Sequence, residues 1–117
     1  MNGGSLDVIV QESHDKYSIE FCQYTAYMAA LGIKVLHEKN IIHRDIKSDN
    51  ILCNTDGDIR ITDLGASVLL HKAQSHRSTR AIGTNNWMAP EIVKGLAYEK
   101  EVDIWSFGAF LYELATG

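Results

Sequence analysis

From Ser18 onward the apolar residues Ile19, Cys22, Ala26, Ala29, Ile33 and Leu36 recur at steps of three and four, the spacing of one face of an α-helix. Ser18 is placed to cap this helix and Asn40 to end it. Gly32 inside it costs about 1 kcal/mol relative to alanine, a loss that close packing of a neighbour can offset. Ahead of it, the turn Asn2-Gly3-Gly4 and a potential N-cap at Ser5 lead into the apolar stretch Leu6, Val8, Ile9 and Val10, and then into a polar segment. Behind it, Ile51-Leu52-Cys53 and Ile59-Arg60-Ile61-Thr62 are β-rich runs flanking Asn54-Thr55-Asp56-Gly57, which reads as a hairpin. A turn centred on Asp56-Gly57 sets Leu52 opposite Ile61 and Asn50 opposite Asp63 on one face of the pleat; a longer loop from Asn54 to Gly57 sets a different register. Residues 66–86 are polar without apolar period and read as a surface loop, closed by Pro90. The last helix, Val102 to Ala115 with Gly117 at its C-cap, is apolar nearly all round and calls for cover on every side. With one other long helix and a hairpin to provide that cover, the chain reads as cut short.

Composition narrows the partners more than the fold. With 117 residues, 45% apolar and 22% charged, the chain is ordinary for one globular domain. A net charge of −4 supplies no basic field, which argues against a nucleic-acid partner. No run approaches the roughly 18 apolar residues that span a bilayer, and Met1 to Ser5 lacks a basic leader, so no membrane association is expected and the cytoplasm or nucleus is the default compartment. Cys22 and Cys53 have no C-x-x-C spacing, and His71 and His76 lack a matching Cys or Asp pair, so neither a disulfide framework nor a zinc site is expected.

The chemistry is concentrated in His43-Arg44-Asp45-Ile46-Lys47-Ser48-Asp49-Asn50, between the long helix and the hairpin. It has the form H-R-D-x-x-x-x-N. Asp63-Leu64-Gly65 follows the hairpin, Ala89-Pro90-Glu91 follows the loop, and Asp103-Ile104-Trp105-Ser106-Phe107-Gly108 opens the last helix. In this order and spacing the chain resembles, over its whole length, the C-lobe core of a eukaryotic protein kinase. Lys47, Gly83-Thr84 and Trp87-Met88-Ala89-Pro90-Glu91 resemble the serine/threonine branch, and Lys-Ser-Asp-Asn the STE20/PAK-like group.

The resemblance implies an α+β, mainly α fold with a small β-hairpin, a partial kinase domain over residues 1–117, and an enzyme moving the γ-phosphate of ATP to a protein Ser or Thr hydroxyl with Mg²⁺. Phosphoryl transfer asks mostly for positioning and charge neutralisation, so hard oxygen ligands are needed for the metal. By motif position these are Asn50 and Asp63; Asp45 accepts or orients the hydroxyl proton, Lys47 sits by the transferred group, and Thr84 bridges towards both. The resemblance implies that Leu52 and Leu6 bind the cofactor, Leu52 beneath the adenine ring, with Leu6, Phe110 and Leu114 continuing that apolar stack. Arg44 is expected to pair with a phosphate on Ser78 or Thr79, Asp103 to support the catalytic-loop backbone, and Glu91 to pair with an arginine outside these residues.

The departures matter too. No G-x-G-x-x-G loop and no V-A-I-K lysine occur in the 117 residues, so the chain is expected to lack the N-lobe as well as the last C-lobe helices, and to be inactive alone. Leu64 stands for the usual phenylalanine and is expected to keep its packing; Asn85-Asn86 replaces a Pro-aromatic pair before Trp87 and leaves acceptor preference open. Two other readings compete: a non-catalytic kinase-like module that binds partners, and a magnesium hydrolase built on Asp45, Asp49 and Asp63. The second leaves Ala-Pro-Glu and the Trp-Ser-Phe-Gly helix without purpose.

Overall fold

The computed structural model describes residues 4–13, 17–69 and 83–117. Helix α1 is Leu6–Ser13 and α2 is Ile19–Glu38, followed by the short strands β1, Ile41–Ile42, β2, Ile51–Cys53, β3, Ile59–Ile61, and β4, Val68–Leu69. A one-turn helix α3, Pro90–Val93, precedes α4, Glu101–Thr116. The class is α+β and mainly helical, as the sequence implies, and no described helix is long and apolar enough to cross a membrane.

Helix α2 begins where its cap was expected, with Ser18 Oγ accepting from Phe21 N at 3.1 Å, and the chain leaves it through Asn40 at φ 59°. Its inward stripe is Thr25, Ala29 and Ile33, whereas Ile19, the first residue of the periodic set, is 70% exposed. Gly32 is the close-approach position: a Cβ there would lie 2.9 Å from Ile61 Cδ1, so β3 packs directly on the helix backbone. Helix α4 is covered on one side only among the described residues; Val102, Phe110 and Leu114 are buried while Ile104, Trp105 and Tyr112 are exposed. Gly117 closes it, at φ 87°, by donating its N–H to Glu113 O.

The hairpin forms, but its register differs from the one centred on Asp56-Gly57. Ile51 pairs with Ile61, Leu52 with Arg60 and Cys53 with Ile59. The cause is Asn54, whose Oδ1 accepts from the N–H groups of Asp56 and Asp58 at 2.9 and 2.8 Å, while its own N–H donates to Asp58 O. Thr55, Asp56 and Gly57 are thereby left as a three-residue loop, one longer than a tight turn, and every pairing slips by one. Gly57 has φ 90°, so Gly57→Ala is expected to cost about 1 kcal/mol, read as a lower urea midpoint; an unchanged midpoint would contradict the turn.

Residues 68–69, expected in the surface loop, instead pair as β4 with β1, Val68 opposite Ile42. Two apolar clusters hold the elements together. The larger joins Leu6 and Val10 of α1, Ala29 and Ile33 of α2, Ile46, the hairpin residues Ile51, Cys53 and Ile59, and Phe110 and Leu114 of α4. The smaller joins Ile42, Ala89, Ile92, Tyr98 and Val102. The segment 43–50 anchors Ile46 in the larger cluster and follows Ile42 of the smaller. Both cysteines are free thiols pushed above their ordinary pKa by burial, with the Asp58 carboxylate adding to the effect at Cys53.

Candidate active site

Asp103, on the inward side of α4, has no exposed surface. Its Oδ1 accepts from Arg44 N at 2.9 Å, and its Oδ2 accepts from His43 N and His37 Nε2, each at 2.8 Å. Arg44 has φ 73°, a left-handed conformation that costs a residue with a Cβ about 1–2 kcal/mol, and the two bonds to Asp103 offset that cost. The support expected of Asp103 is therefore a direct grip on the two residues before Asp45.

His43 is also fully buried. Its Nδ1 accepts from Asp45 N at 3.1 Å, so the ring proton resides on Nε2, which donates to Thr62 O at 2.8 Å. One imidazole thus splices the backbone at Asp45 to the residue preceding Asp63, a positioning role that packing alone does not describe.

The Asp45 carboxylate is half-buried and held from two directions. Thr84 Oγ1 donates to Oδ1 at 2.9 Å, and Asn50 Nδ2 donates to Oδ2 at 3.1 Å and to the Asp45 carbonyl at 2.8 Å. The amide orientation follows: nitrogen faces Asp45, and Asn50 Oδ1 remains an acceptor without a bond to another described residue. Asn50 is not paired with Asp63 as the expected register had it; its carbonyl accepts from Thr62 N at 2.8 Å, and Asp63 follows that contact. Asp63 is exposed, at φ 60°, with one carboxylate oxygen accepting a long 3.3 Å bond from Gly65 N and the other bonded to no other described residue. Lys47 is half-buried, and its ammonium bonds to no other described residue.

Arg44 is 8% exposed and turns its guanidinium to the segment after Asp63, donating from Nε to Ala66 O at 2.6 Å, from one terminal nitrogen to Ser67 O at 3.4 Å and from the other to the Tyr98 hydroxyl at 3.2 Å. Ser78 and Thr79, the expected phosphate positions, lie outside the described residues. Glu91 is half-buried in the first turn of α3 and forms no ion pair with another described residue.

Leu52 is half-buried on the pleat face opposite Ile51 and Cys53, bridged to Ser5. Leu6 requires a correction: it is fully buried in the larger cluster with Phe110 and Leu114, so it has no surface for a cofactor and serves as support. Leu64 differs as well; it is 52% exposed at the start of the turn Leu64–Ala66 and packs into neither cluster.

Several residues escaped the motif reading. Glu113 accepts from Ser48 N at 3.2 Å and from Ser48 Oγ, fastening the turn between Asp45 and Asn50; Ser106 Oγ donates to Trp87 O at 2.6 Å; Tyr98 receives Arg44. A signal existed for two of them. Asp103, Ser106 and Glu113 are polar positions in a mostly apolar helix, at spacings of three and seven that place them along one stripe.

This geometry has close counterparts by sequence. A family model described as the protein kinase domain matches residues 1–117. Serine/threonine-protein kinase CLA4 of Eremothecium gossypii is 42% identical over 123 residues, covering 100% of this chain and 15% of that protein. SKM1 of Saccharomyces cerevisiae, also a serine/threonine-protein kinase, is 42% identical over 125 residues, covering 100% of this chain and 19% of its own. CST20 of Candida albicans, named likewise, is 44% identical over 117 residues, covering 100% of this chain and 9% of its own. The chain thus spans under a fifth of the length of these relatives.

Proposed function

Because the chain belongs to the protein kinase domain family, we propose that the polypeptide carrying it transfers the γ-phosphate of ATP, with Mg²⁺, to serine or threonine hydroxyls of proteins. The reading covers residues 1–117 as part of a kinase domain. Its glycine-rich loop and lysine strand are not among these residues, so activity is assigned to a polypeptide that joins them.

The observation that carries the proposal is the clamped carboxylate of Asp45. Among the described residues each oxygen accepts one bond, from Thr84 and from Asn50, and a carboxylate has lone pairs to spare for a third partner. Asp45 can therefore hold an incoming hydroxyl by its proton and accept that proton as the oxygen attacks. Thr84 fixes which way the carboxylate faces, and Lys47 offers a flexible point charge to the moving phosphoryl group.

The donor set fits a hard divalent cation. Asn50 Oδ1 and one oxygen of Asp63 bond to no other described residue and can serve as oxygen ligands, Asn50 being 6% exposed and Asp63 facing solvent. Bound there, Mg²⁺ would neutralise charge on the nucleotide phosphates. Leu52 offers the apolar surface for the adenine ring.

Thermal unfolding tests this. ATP with Mg²⁺ at about 100 times its Kd is expected to stabilise the full-length kinase by about 2.7 kcal/mol, and Asp63→Ala is expected to remove most of that stabilisation and nearly all turnover. Equal protection with and without Mg²⁺, or full turnover in Asp63→Ala, would reject the proposed roles. A scaffold that binds partners without transfer would show weak protection throughout.

A further inference from the structure

We infer that Ser106 is a positioning residue for the hydroxyl-accepting side of the site, acting through the main chain of the segment 84–87 to hold Thr84 on Asp45. The inference rests on the proposed kinase function and adds a residue to it.

Three bonds make the connection. Ser106 Oγ donates to Trp87 O at 2.6 Å, Trp87 N donates to Thr84 O at 2.9 Å, and Thr84 Oγ1 donates to Asp45 Oδ1 at 2.9 Å. Ser106 also has Val102 O within 3.2 Å, the ordinary back-bond of a helical serine. A hydroxyl has one proton, and the much shorter distance to Trp87 O assigns it there. Ser106 is 4% exposed and Trp87 half-buried, so Trp87 O, deprived of this donor, would become a partly shielded carbonyl lacking that partner.

Among the described residues, few other polar contacts hold the segment. The Trp87 Nε1 atom is buried and has no hydrogen-bond partner among the described residues, so the indole does not supply one. Gly83, at φ 117°, leaves only 2.4 Å between a would-be Cβ and Arg44 O, which presses the start of the segment against the catalytic loop but gives no bond. The same stripe of α4 therefore holds both sides of Asp45: Asp103 the loop before it, Ser106 the segment that brings Thr84. None of these contacts involves Leu52 or Asp63, so the nucleotide side is left alone.

The experiment compares Ser106→Ala with wild type in the full-length kinase, measuring phosphoryl transfer to a Ser/Thr peptide, acceptor-free ATP hydrolysis and amide exchange at Trp87. Ser106→Ala is expected to lower kcat/KM for peptide about three- to tenfold, the worth of one hydrogen bond, with the KM for ATP and the hydrolysis rate unchanged and Trp87 exchange accelerated. Ser106→Thr, which retains a hydroxyl, is expected to recover peptide transfer. Unchanged peptide transfer, or an equal fall in transfer and hydrolysis, would overturn the inference. A wild-type protein that phosphorylates no peptide would overturn the kinase reading instead, and unchanged Trp87 exchange in Ser106→Ala would then overturn this inference separately.

Discussion

Asp45→Asn is expected to cut transfer to a protein hydroxyl by about 10²–10⁴-fold while leaving Mg²⁺-dependent protection by ATP in place. The amide is nearly isosteric, but it loses the negative charge and replaces one acceptor with a donor. Whichever way it turns, an NH₂ group faces either the Thr84 hydroxyl or the Asn50 amide, both of which donate to Asp45 in the native site. A proton acceptor is lost and its orientation is disturbed together. The proposed function assigns protection by nucleotide to Asn50, Asp63 and Leu52, so it is expected to survive and to separate lost chemistry from lost binding. Undiminished turnover in this variant would contradict the role given to Asp45.

Asp103→Ala is expected to produce the largest loss of stability, about 3–5 kcal/mol, read as a fall in the urea midpoint at constant slope. The carboxylate is wholly buried and accepts from three donors, two of them backbone N–H groups of His43 and Arg44. Alanine leaves those donors buried and unpaired, at about 1–3 kcal/mol each, and removes what holds Arg44 at φ 73°. Activity is expected to fall with stability, because Arg44 precedes Asp45. A loss below about 1 kcal/mol would show that the loop is held by something else.

The sequence made the long helix legible because its cap, its period and its exit residue agree: Ser18 and Asn40 act where expected. It also located Asp45, Asn50, Thr84 and Asp103 through motif order, and the structure joins Thr84 and Asn50 to one carboxylate. The hairpin was legible as a pair of strands but not in register. That choice depended on the Asn54 side chain capturing two backbone donors, a local competition that alternation of apolar residues does not encode. Leu6 illustrates another limit, since pattern places a residue in an apolar stack without saying which member of the stack meets a ligand. The pairing of Val68 with Ile42 was hidden because a two-residue strand carries too few positions to show a period. Ser106 stood inside the Asp103–Gly108 motif without a role, and Glu113 outside every motif, because the apolar character of the helix dominated, although their shared stripe with Asp103 was present in the spacing.

The central claim is that Asn50 and Asp63 jointly hold a divalent cation beside Asp45. It is tested most directly by a crystal structure of the full-length kinase with ATP analogue and Mn²⁺ in place of Mg²⁺, with anomalous scattering used to locate the metal. The account predicts an anomalous peak bounded by the side-chain oxygens of Asn50 and Asp63. A metal held by other residues, with either of these two pointing away from it, would contradict the account.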